Sequence, residues 1–280
     1  MLSRVLEYWH TLRYWPLCWK AILRFRGYRP QAVTMRSITR WLSQFDAKDR
    51  TAVLLLLDKV VYLSEKHTEK TLVELNERLL ARLNADGVPT RNIVYMQIHD
   101  PGSSSAAMLN MLRDRACLEQ KGCHFVDWKD IRQLHEVTDR LEQGAIIYVD
   151  DFSATGGQFC TVRNYLAEYI VGNFSEFFLL PIICEEALYK LGTLGVEAIS
   201  GDVHSKAARP LHPNSTILNP ITRSRLVELC TRIDQKGGLG VGQLATMVVF
   251  YRNAPNTVPV LLRGNRKRRF AGVFPRTTDL

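Results

Sequence analysis

None of the six cysteines, Cys18, Cys117, Cys123, Cys160, Cys184 and Cys230, forms a C-x-x-C pair, and all lie on apolar or helical stretches. That excludes a dithiol redox motif or a zinc ribbon and predicts buried, reduced thiols in a reducing compartment. No spacing of His, Cys, Asp and Glu suggests zinc. No stretch reaches the roughly 18 uncharged apolar residues that a membrane-spanning helix needs. Residues 1–30 are rich in aromatics, but Arg4, Arg13, Lys20, Arg24 and Arg26 interrupt them, so they lack the apolar centre of a secretory signal. The expectation is a cytoplasmic protein with no membrane partner. There is no internal repeat and no low-complexity segment.

What is present is ordinary globular material. The chain has 280 residues, 46% hydrophobic and 23% charged, enough for one or two domains with a sizeable core. Its net charge of +9 favours anionic partners without choosing among them.

The hydrophobic rhythm divides the chain near residue 90. Residues 1–90 read as helical. Val5, Leu6, Trp9, Leu12 and residues 15–17 recur at helical spacing, and a turn follows at 27–30. A second helix follows Asp46, with Asp49 placed as in a capping box, and runs through Val60, Val61 and Leu63. A third begins near Thr68 and stops at the Asp86-Gly87 turn. Interleaved Trp9, Tyr14, Trp15 and Trp19 with Arg13, Lys20, Arg24 and Arg26 predict an assembly or partner surface, for protein or single-stranded nucleic acid; plain packing is the alternative.

Residues 91–280 alternate. Short apolar strands are expected at 93–98, 123–126, 145–149, 176–184 and 196–203, with helices through Met108, Met111 and Leu112 and at 131–141, 157–169 and 187–191 between them. This order predicts an α/β fold with an open, mostly parallel sheet and helices on both faces. A C-terminal extension follows: a helix at 221–233, a flexible glycine loop at 236–242, a strand at 244–251, a Pro-stiffened loop at 253–259 and a basic cluster at 263–269.

One segment carries chemistry. Residues 148–158 read Tyr-Val-Asp-Asp-Phe-Ser-Ala-Thr-Gly-Gly-Gln. Asp150 and Asp151 end a strand, where a carboxylate can accept hydrogen bonds from vicinal ribose hydroxyls. The small residues Ser153, Ala154, Thr155, Gly156 and Gly157, with Gln158, let backbone amides surround a phosphate at a helix N-terminus. A plain strand–helix junction is the alternative.

This segment resembles the phosphoribosyl-diphosphate motif of type I phosphoribosyltransferases: apolar residues, two acids, a spacer, then Thr-Gly-Gly. The resemblance implies that Asp150 and Asp151 hold the ribose hydroxyls and residues 153–158 the 5′-phosphate. It implies a pyrophosphate loop after the first core strand, which here is Asp100, Pro101, Gly102, Ser103 and Ser104, with a solvated Ser-capped turn as the alternative. Asn256 and Thr257 are candidates for the base side, and magnesium would bind through the substrate pyrophosphate. The sequence departs from the family at Phe152, Ser153 and Gln158, and only residues 127–144 stand where the family folds a long basic hood over the leaving group. His99 and His204 read as structural.

With its helical N-terminal region and Asn-x-Pro-Asn-Thr tail, the chain also resembles phosphoribosyltransferase-like effectors of bacterial conflict systems, some of them retron-associated. That implies antiviral defence, action at C1′ of a ribose 5′-phosphate, and phosphoribosyl diphosphate or a nucleotide as ligand. It also implies a homo-oligomer or multi-protein assembly that can include a reverse transcriptase and its DNA–RNA product. A phosphoribosyl-ligand sensor or partner-binding module without catalysis is the alternative.

Overall fold

The computed structural model describes residues 14–99 and 103–277. The chain forms two compact units, one of Met1–Glu65 with Lys206–Leu280, the other of Lys66–Ser205. We refer to them as unit 1 and unit 2.

Unit 1 opens with α1 (Trp15–Phe25), α2 (Met35–Leu42), α3 (Arg50–Asp58) and the short strand β1 (Val61–Leu63). Pro16 in the first turn of α1 lacks only an amide that no helix turn would use. α1 buries Cys18, Ala21 and Phe25 and leaves Trp15, Trp19 and Leu23, one turn apart each, exposed. The capping box of this region sits on α2, where Thr34 and Ser37 exchange side-chain and backbone hydrogen bonds. It is not at Asp46/Asp49, as the sequence pattern suggests. Asp49 occupies the N-cap position of α3 without capping it, because its carboxylate is held by Arg225. Val61 and Leu63 also correct the expectation, since the helix ends at Asp58 and they form a strand.

Unit 2 follows, as α4 (Glu65–Ala85), β2 (Ile93–Gln97), α5 (Ser104–Arg115), β3 (His124–Val126), α6 (Ile131–Leu141), β4 (Gln143–Val149), β5 (Phe152–Ser153), α7 (Gly157–Leu166), β6 (Asn173–Cys184), α8 (Glu185–Gly192) and β7 (Glu197–His204). The sheet runs β3-β2-β4-β6-β5, with β7 on the other side of β6, and every pairing is parallel. Alternation along the strands sorts the two faces. Ile93, Tyr95, Ala145, Ile147, Val149, Phe177 and Leu179 pack under Leu72, Leu75 and Leu79 of α4 and Met108 and Leu112 of α5. Val94, Met96, Ile146, Tyr148, Phe178 and Leu180 pack against α6, α7 and α8 through Leu134, Phe159 and Leu191. The expected α/β architecture, a mostly parallel sheet covered on both faces and preceded by a helical N-terminal region, is what the chain forms.

The tail returns to unit 1 as α9 (Pro220–Ile233), β8 (Val248–Phe250) and α10 (Val260–Arg263). β8 pairs in parallel with β1, Val61 opposite Val248, which is why Val61 leaves the helix. Leu226, Leu229, Val249, Leu261 and Phe274 complete one core with Phe25, Ile38, Trp41 and Leu56. Trp41 donates to the carbonyl of Leu261 at 2.7 Å and Tyr28 to that of Pro275 at 2.6 Å. The compact units therefore divide the chain elsewhere than residue 90, because residues 206–280 supply much of the core around the N-terminal helices. The glycine loop at 236–242 is not loose. Its carbonyls at Gly237 and Gly238 accept from Arg263 and Val260, and the amide of Val241 donates to Asn256.

Five cysteines are buried and free as expected, but Cys117 is exposed. Burial pushes the Cys230 thiol up to about 12 and Cys123 to about 11, so both stay protonated and inert at neutral pH. Among the described residues no helix is long and apolar enough to cross a membrane.

The Asp49–Arg225 pair sets the acid sensitivity of unit 1. The Arg225 guanidinium, bonded to both carboxylate oxygens at 2.7 Å, holds Asp49 below the usual carboxylate range. A lowered folded-state pKa contributes stability that is present above the unfolded value, about 3.9, and is lost as pH falls through the folded value. Asp49→Asn is expected to lower urea stability at pH 7 by about 1.5–3 kcal/mol, the range for a bond to a charged group. The gap between variant and wild type should narrow as pH is taken from 7 towards 3; a gap independent of pH would contradict the assignment.

Candidate active site

The site is built by an interruption in the sheet. β4 pairs with β6 as far as Val149 opposite Leu179, and β5 resumes with Phe152 opposite Ile182, at the same offset. No residue is inserted or lost; the ladder simply stops across Asp150 and Asp151. The amide of Asp150 still donates to Leu179 at 3.2 Å. The next bond of a parallel ladder would run from the amide of residue 181 to the carbonyl of Asp150, and Pro181 has no N–H. On the other side of β6, the pairing with β7 skips the same position, leaving Gly201 opposite Pro181. A Cβ on Gly201 would lie 2.7 Å from the Pro181 carbonyl oxygen and 2.6 Å from Thr71, so only glycine fits.

Asp150 is 4% exposed and its carboxylate is well supplied with donors. Oδ1 accepts from the Asp151 amide at 2.8 Å and the Ser104 hydroxyl at 3.3 Å. Oδ2 lies 3.5 Å from Nε2 of His99. A carboxylate has about four acceptor positions, so about one is left, on Oδ2. Asp151, next to it in the gap, is half-buried. The two acids are thus unequal: Asp150 is buried and held by hydrogen bonds, and Asp151 is the more accessible partner.

The neighbouring strand end is tied to this one by Ser105, whose hydroxyl accepts from the Ile98 amide at 2.9 Å and donates to the Val149 carbonyl at 2.7 Å. Ser103 caps α5 by accepting from Ala106. Ser103 and Ser104 of the expected pyrophosphate loop therefore stand at the strand end beside Asp150, whereas Asp100, Pro101 and Gly102 lie outside the described residues. His99, structural by its sequence pattern, stands at the end of the strand beside the acidic one with its ring 3.5 Å from Asp150.

Beyond the acids, Ser153 is buried in β5, Ala154 and Gly157 are partly exposed, and Thr155 and Gln158 are exposed. The Thr155 hydroxyl accepts from the Gly157 amide at 3.3 Å. Gly156 has φ +70° and is the N-cap of α7. A Cβ there would come within 3.3 Å of the Ala187 Cα, so both conformation and space call for glycine. α7 is held in place by Phe159, stacked on Phe178 at 4.3 Å and edge-on to Tyr148 at 5.1 Å. Arg163 pairs with Glu176, which also accepts from the Tyr148 hydroxyl at 2.8 Å. Burial first, and then the Glu176 charge, push the Tyr148 phenol well above its ordinary value.

The hood position is filled compactly. Asp127 accepts from Gln97 and from the Lys129 amide, Asp130 caps α6, and α6 leads directly into β4. Arg132 pairs with Glu136 on the exposed face of α6. The base-side candidates belong to unit 1, where Asn256 is exposed and Thr257 is buried with its hydroxyl 2.7 Å from that of Thr246. His204 closes β7, buried, while Lys206 and Arg209 belong to unit 1.

A parallel sheet covered on both faces, with an acidic pair and a Thr-Gly-Gly turn at the carboxyl ends of its strands, defines a phosphoribosyltransferase-type α/β domain. The chain belongs to the PRTase-CE family, whose model matches residues 38–276. Among solved structures, it is similar to orotate phosphoribosyltransferase from Aeropyrum pernix, with 14% identity over 47% of this chain and 68% of that one and a TM-score of 0.31. It is also similar to a hypoxanthine phosphoribosyltransferase from Staphylococcus aureus, with 14% identity over 49% of this chain and 74% of that one and a TM-score of 0.28. No curated protein matches the chain.

Gly156→Ala is expected to cost unit 2 about 1–2 kcal/mol, the penalty of a left-handed alanine, before any clash with α8 is added. Gly157→Ala, with only the Thr155 hydroxyl at 3.4 Å from its new Cβ, should change urea stability by under about 0.5 kcal/mol. Equal costs at the two positions would show that Gly156 is not conformationally required.

Proposed function

We propose that the protein acts at C1′ of a ribose 5′-phosphate, as a phosphoribosyltransferase or as a nucleotide N-glycosidase. The observation that carries this reading is the acidic pair in the gap between β4 and β5, with four residues between it and the left-handed Gly156 that opens α7. Asp151, together with the remaining acceptor position of Asp150, suits two vicinal ribose hydroxyls. The backbone amides after Ala154 and the N-terminus of α7 suit the 5′-phosphate. When the C1′ bond to pyrophosphate or base breaks, its electron pair leaves with that group and positive charge develops on C1′ and the ring oxygen. The carboxylates of Asp150 and Asp151 stabilise that charge, and an acceptor nitrogen or water supplies the new pair.

Magnesium enters this reading as part of the substrate. No group of three or more His, Cys, Asp or Glu among the described residues is arranged to cage an ion. Mg²⁺ keeps several waters and binds through substrate phosphates with one or two carboxylates, which suits an ion carried by pyrophosphate near Asp151.

A role as an effector of a bacterial antiviral system, held in check by a partner assembly such as a reverse transcriptase with its DNA–RNA product, is supported by the resemblance to conflict-system effectors. Assembly is supported by the exposed Trp15, Trp19 and Leu23 face of α1. Deleting residues 1–26 would not test it, since Cys18 and Phe25 belong to the core of unit 1. Trp15→Glu/Trp19→Glu is expected to reduce the particle mass in light scattering while leaving the circular dichroism melt unchanged; an unchanged mass removes α1 as an assembly surface.

A second reading, a sensor that binds a phosphoribosyl ligand without turning it over, is favoured by the short, capped connection from β3 through α6 to β4, which has no long basic loop. Calorimetry and mass spectrometry separate the readings. Phosphoribosyl diphosphate with magnesium, or a nucleoside 5′-monophosphate, is expected to bind wild type at least tenfold more tightly than Asp151→Asn; equal affinity would sink the site. In cells, expression without restraining partners should be toxic and should deplete a nucleotide or phosphoribosyl diphosphate while its free base or ribose phosphate rises. Asp150→Asn/Asp151→Asn should prevent both at unchanged protein level. Toxicity that persists in the double variant with unchanged pools in both proteins would leave only the sensor reading.

A further inference from the structure

The net charge of the chain is divided unevenly. Unit 1 carries 24 Lys and Arg against 8 Asp and Glu, a formal +16, whereas unit 2 carries 13 against 20, a formal −7. The anionic ligand of the proposed sugar-phosphate site therefore does not account for the basic character of the protein, which resides in the other unit. A surplus of this size in one compact unit destabilises it by self-repulsion, and it produces a field that attracts a polyanion.

Within unit 1 the charge is densest at one built feature. Arg266, Lys267, Arg268 and Arg269 form a tip between Asn265 and Phe270, and all four are exposed. The tip is rigid by construction. The Asn265 amide donates to the Phe270 carbonyl at 2.8 Å and the Phe270 amide returns a bond at 3.0 Å. The Asn265 side chain accepts from the Arg268 amide and donates to Asp234. The base of the tip is fastened to the end of α2: the Gln44 amide group bonds both the carbonyl and the amide of Ala271 at 2.9 Å, and Phe45 packs edge-on against Phe270. Arg40, in the last turn of α2, adds a fifth exposed cation one turn before Gln44. Among the described residues no acidic side chain is paired with any of the four tip cations.

We infer that this tip is a nucleic-acid contact of unit 1, binding the phosphate backbone of a DNA or RNA strand. Three of the four cations are arginines, whose planar forks fit phosphate oxygens bidentately. The high linear charge density of a nucleic acid suits a cluster of adjacent cations, since each phosphate neutralised releases counterions. Between residues 242 and 277, the stretch that holds the tip, no large apolar residue is exposed, so the tip itself offers no anchor for a lipid surface or an apolar peptide. The same lack of exposed aromatic rings removes base stacking, so binding is electrostatic and tolerant of sequence. This inference is independent of the sugar-phosphate reading, because it concerns residues of the other unit.

Fluorescence anisotropy of the full chain with a labelled 20-nucleotide oligo-dT, from 50 to 200 mM KCl, tests it. Wild type should show a steep loss of affinity with salt. Arg266→Gln/Lys267→Gln/Arg268→Gln/Arg269→Gln should bind at least tenfold more weakly at 100 mM KCl, with a log–log salt slope shallower by about 2–3, as expected for up to four single-strand phosphate contacts. A charge-matched variant of unit 2, Lys66→Gln/Lys70→Gln/Lys121→Gln/Lys190→Gln, should change affinity by less than threefold. Arg-to-Lys changes at 266, 268 and 269 should keep most of the slope. Lys267→Glu, a single exposed change, serves if the fourfold variant melts early by circular dichroism. Equal losses in the two fourfold variants would overturn the assignment in favour of diffuse attraction. Binding to phosphatidylserine vesicles or polyglutamate as tight as to oligo-dT, at the same salt, would overturn the choice of partner.

Discussion

A single missing hydrogen in the middle of the sheet governs the site. β6 is a 12-residue central strand, and Pro181 within it has no amide to donate to the carbonyl of Asp150. Two strands respond at the same level. On one side the pairing lapses across Asp150 and Asp151 and is recovered at Phe152; on the other, Gly201 takes the facing position without a side chain. Because the register is the same before and after, the lapse frees two acidic residues from the sheet without bending the strand that follows into another path. A proline in a central strand is normally a defect. Here the defect coincides with the acidic pair at the carboxyl end of β4.

The rest of the candidate site is fixed by groups outside the acidic pair. Ser105 ties the ends of β2 and β4 together by one hydroxyl, and Ser104 and His99 then meet Asp150 from that neighbouring strand end. Below, Phe159 and the Arg163–Glu176–Tyr148 cluster pin α7 to the sheet, so the turn before it has a fixed floor. A buried carboxyl group at Asp150 costs free energy unless polar groups supply what water would, and the Asp151 amide, the Ser104 hydroxyl and the nearby His99 ring meet that requirement.

Unit 2 was the legible part of the sequence. Strands at 93–98, 145–149 and 176–184 and the helix at 131–141 are recognisable because each strand is a short apolar run buried on both faces, and each helix has a periodic stripe. The motif at 148–158 was legible because small residues, paired acids and a strand–helix junction coincide. Unit 1 was less so. Val61 to Leu63 continues an apolar helical rhythm and becomes a strand only through Val248–Phe250, nearly two hundred residues away, which no local pattern contains. Asp49 looks like a capping residue until Arg225 claims it. The partner of a lone charge and the contact of His99 with Asp150 are tertiary facts, invisible to spacing.

The two units also differ in when they can exist. Unit 2 is one continuous segment, so a ribosome has delivered all of it once residue 205 has emerged. Unit 1 needs segments from both sides of unit 2: the Tyr28 hydroxyl waits for the carbonyl of Pro275, and the indole of Trp41 for that of Leu261. Domains fold as units during synthesis, the earlier ones first. The acid-bearing unit is therefore assembled while the basic unit is still an open chain with Phe25, Ile38 and Trp41 uncovered. A message cut short between the codons for residues 205 and 260 would yield a product with a complete acid-bearing unit and no finished basic unit to accompany it.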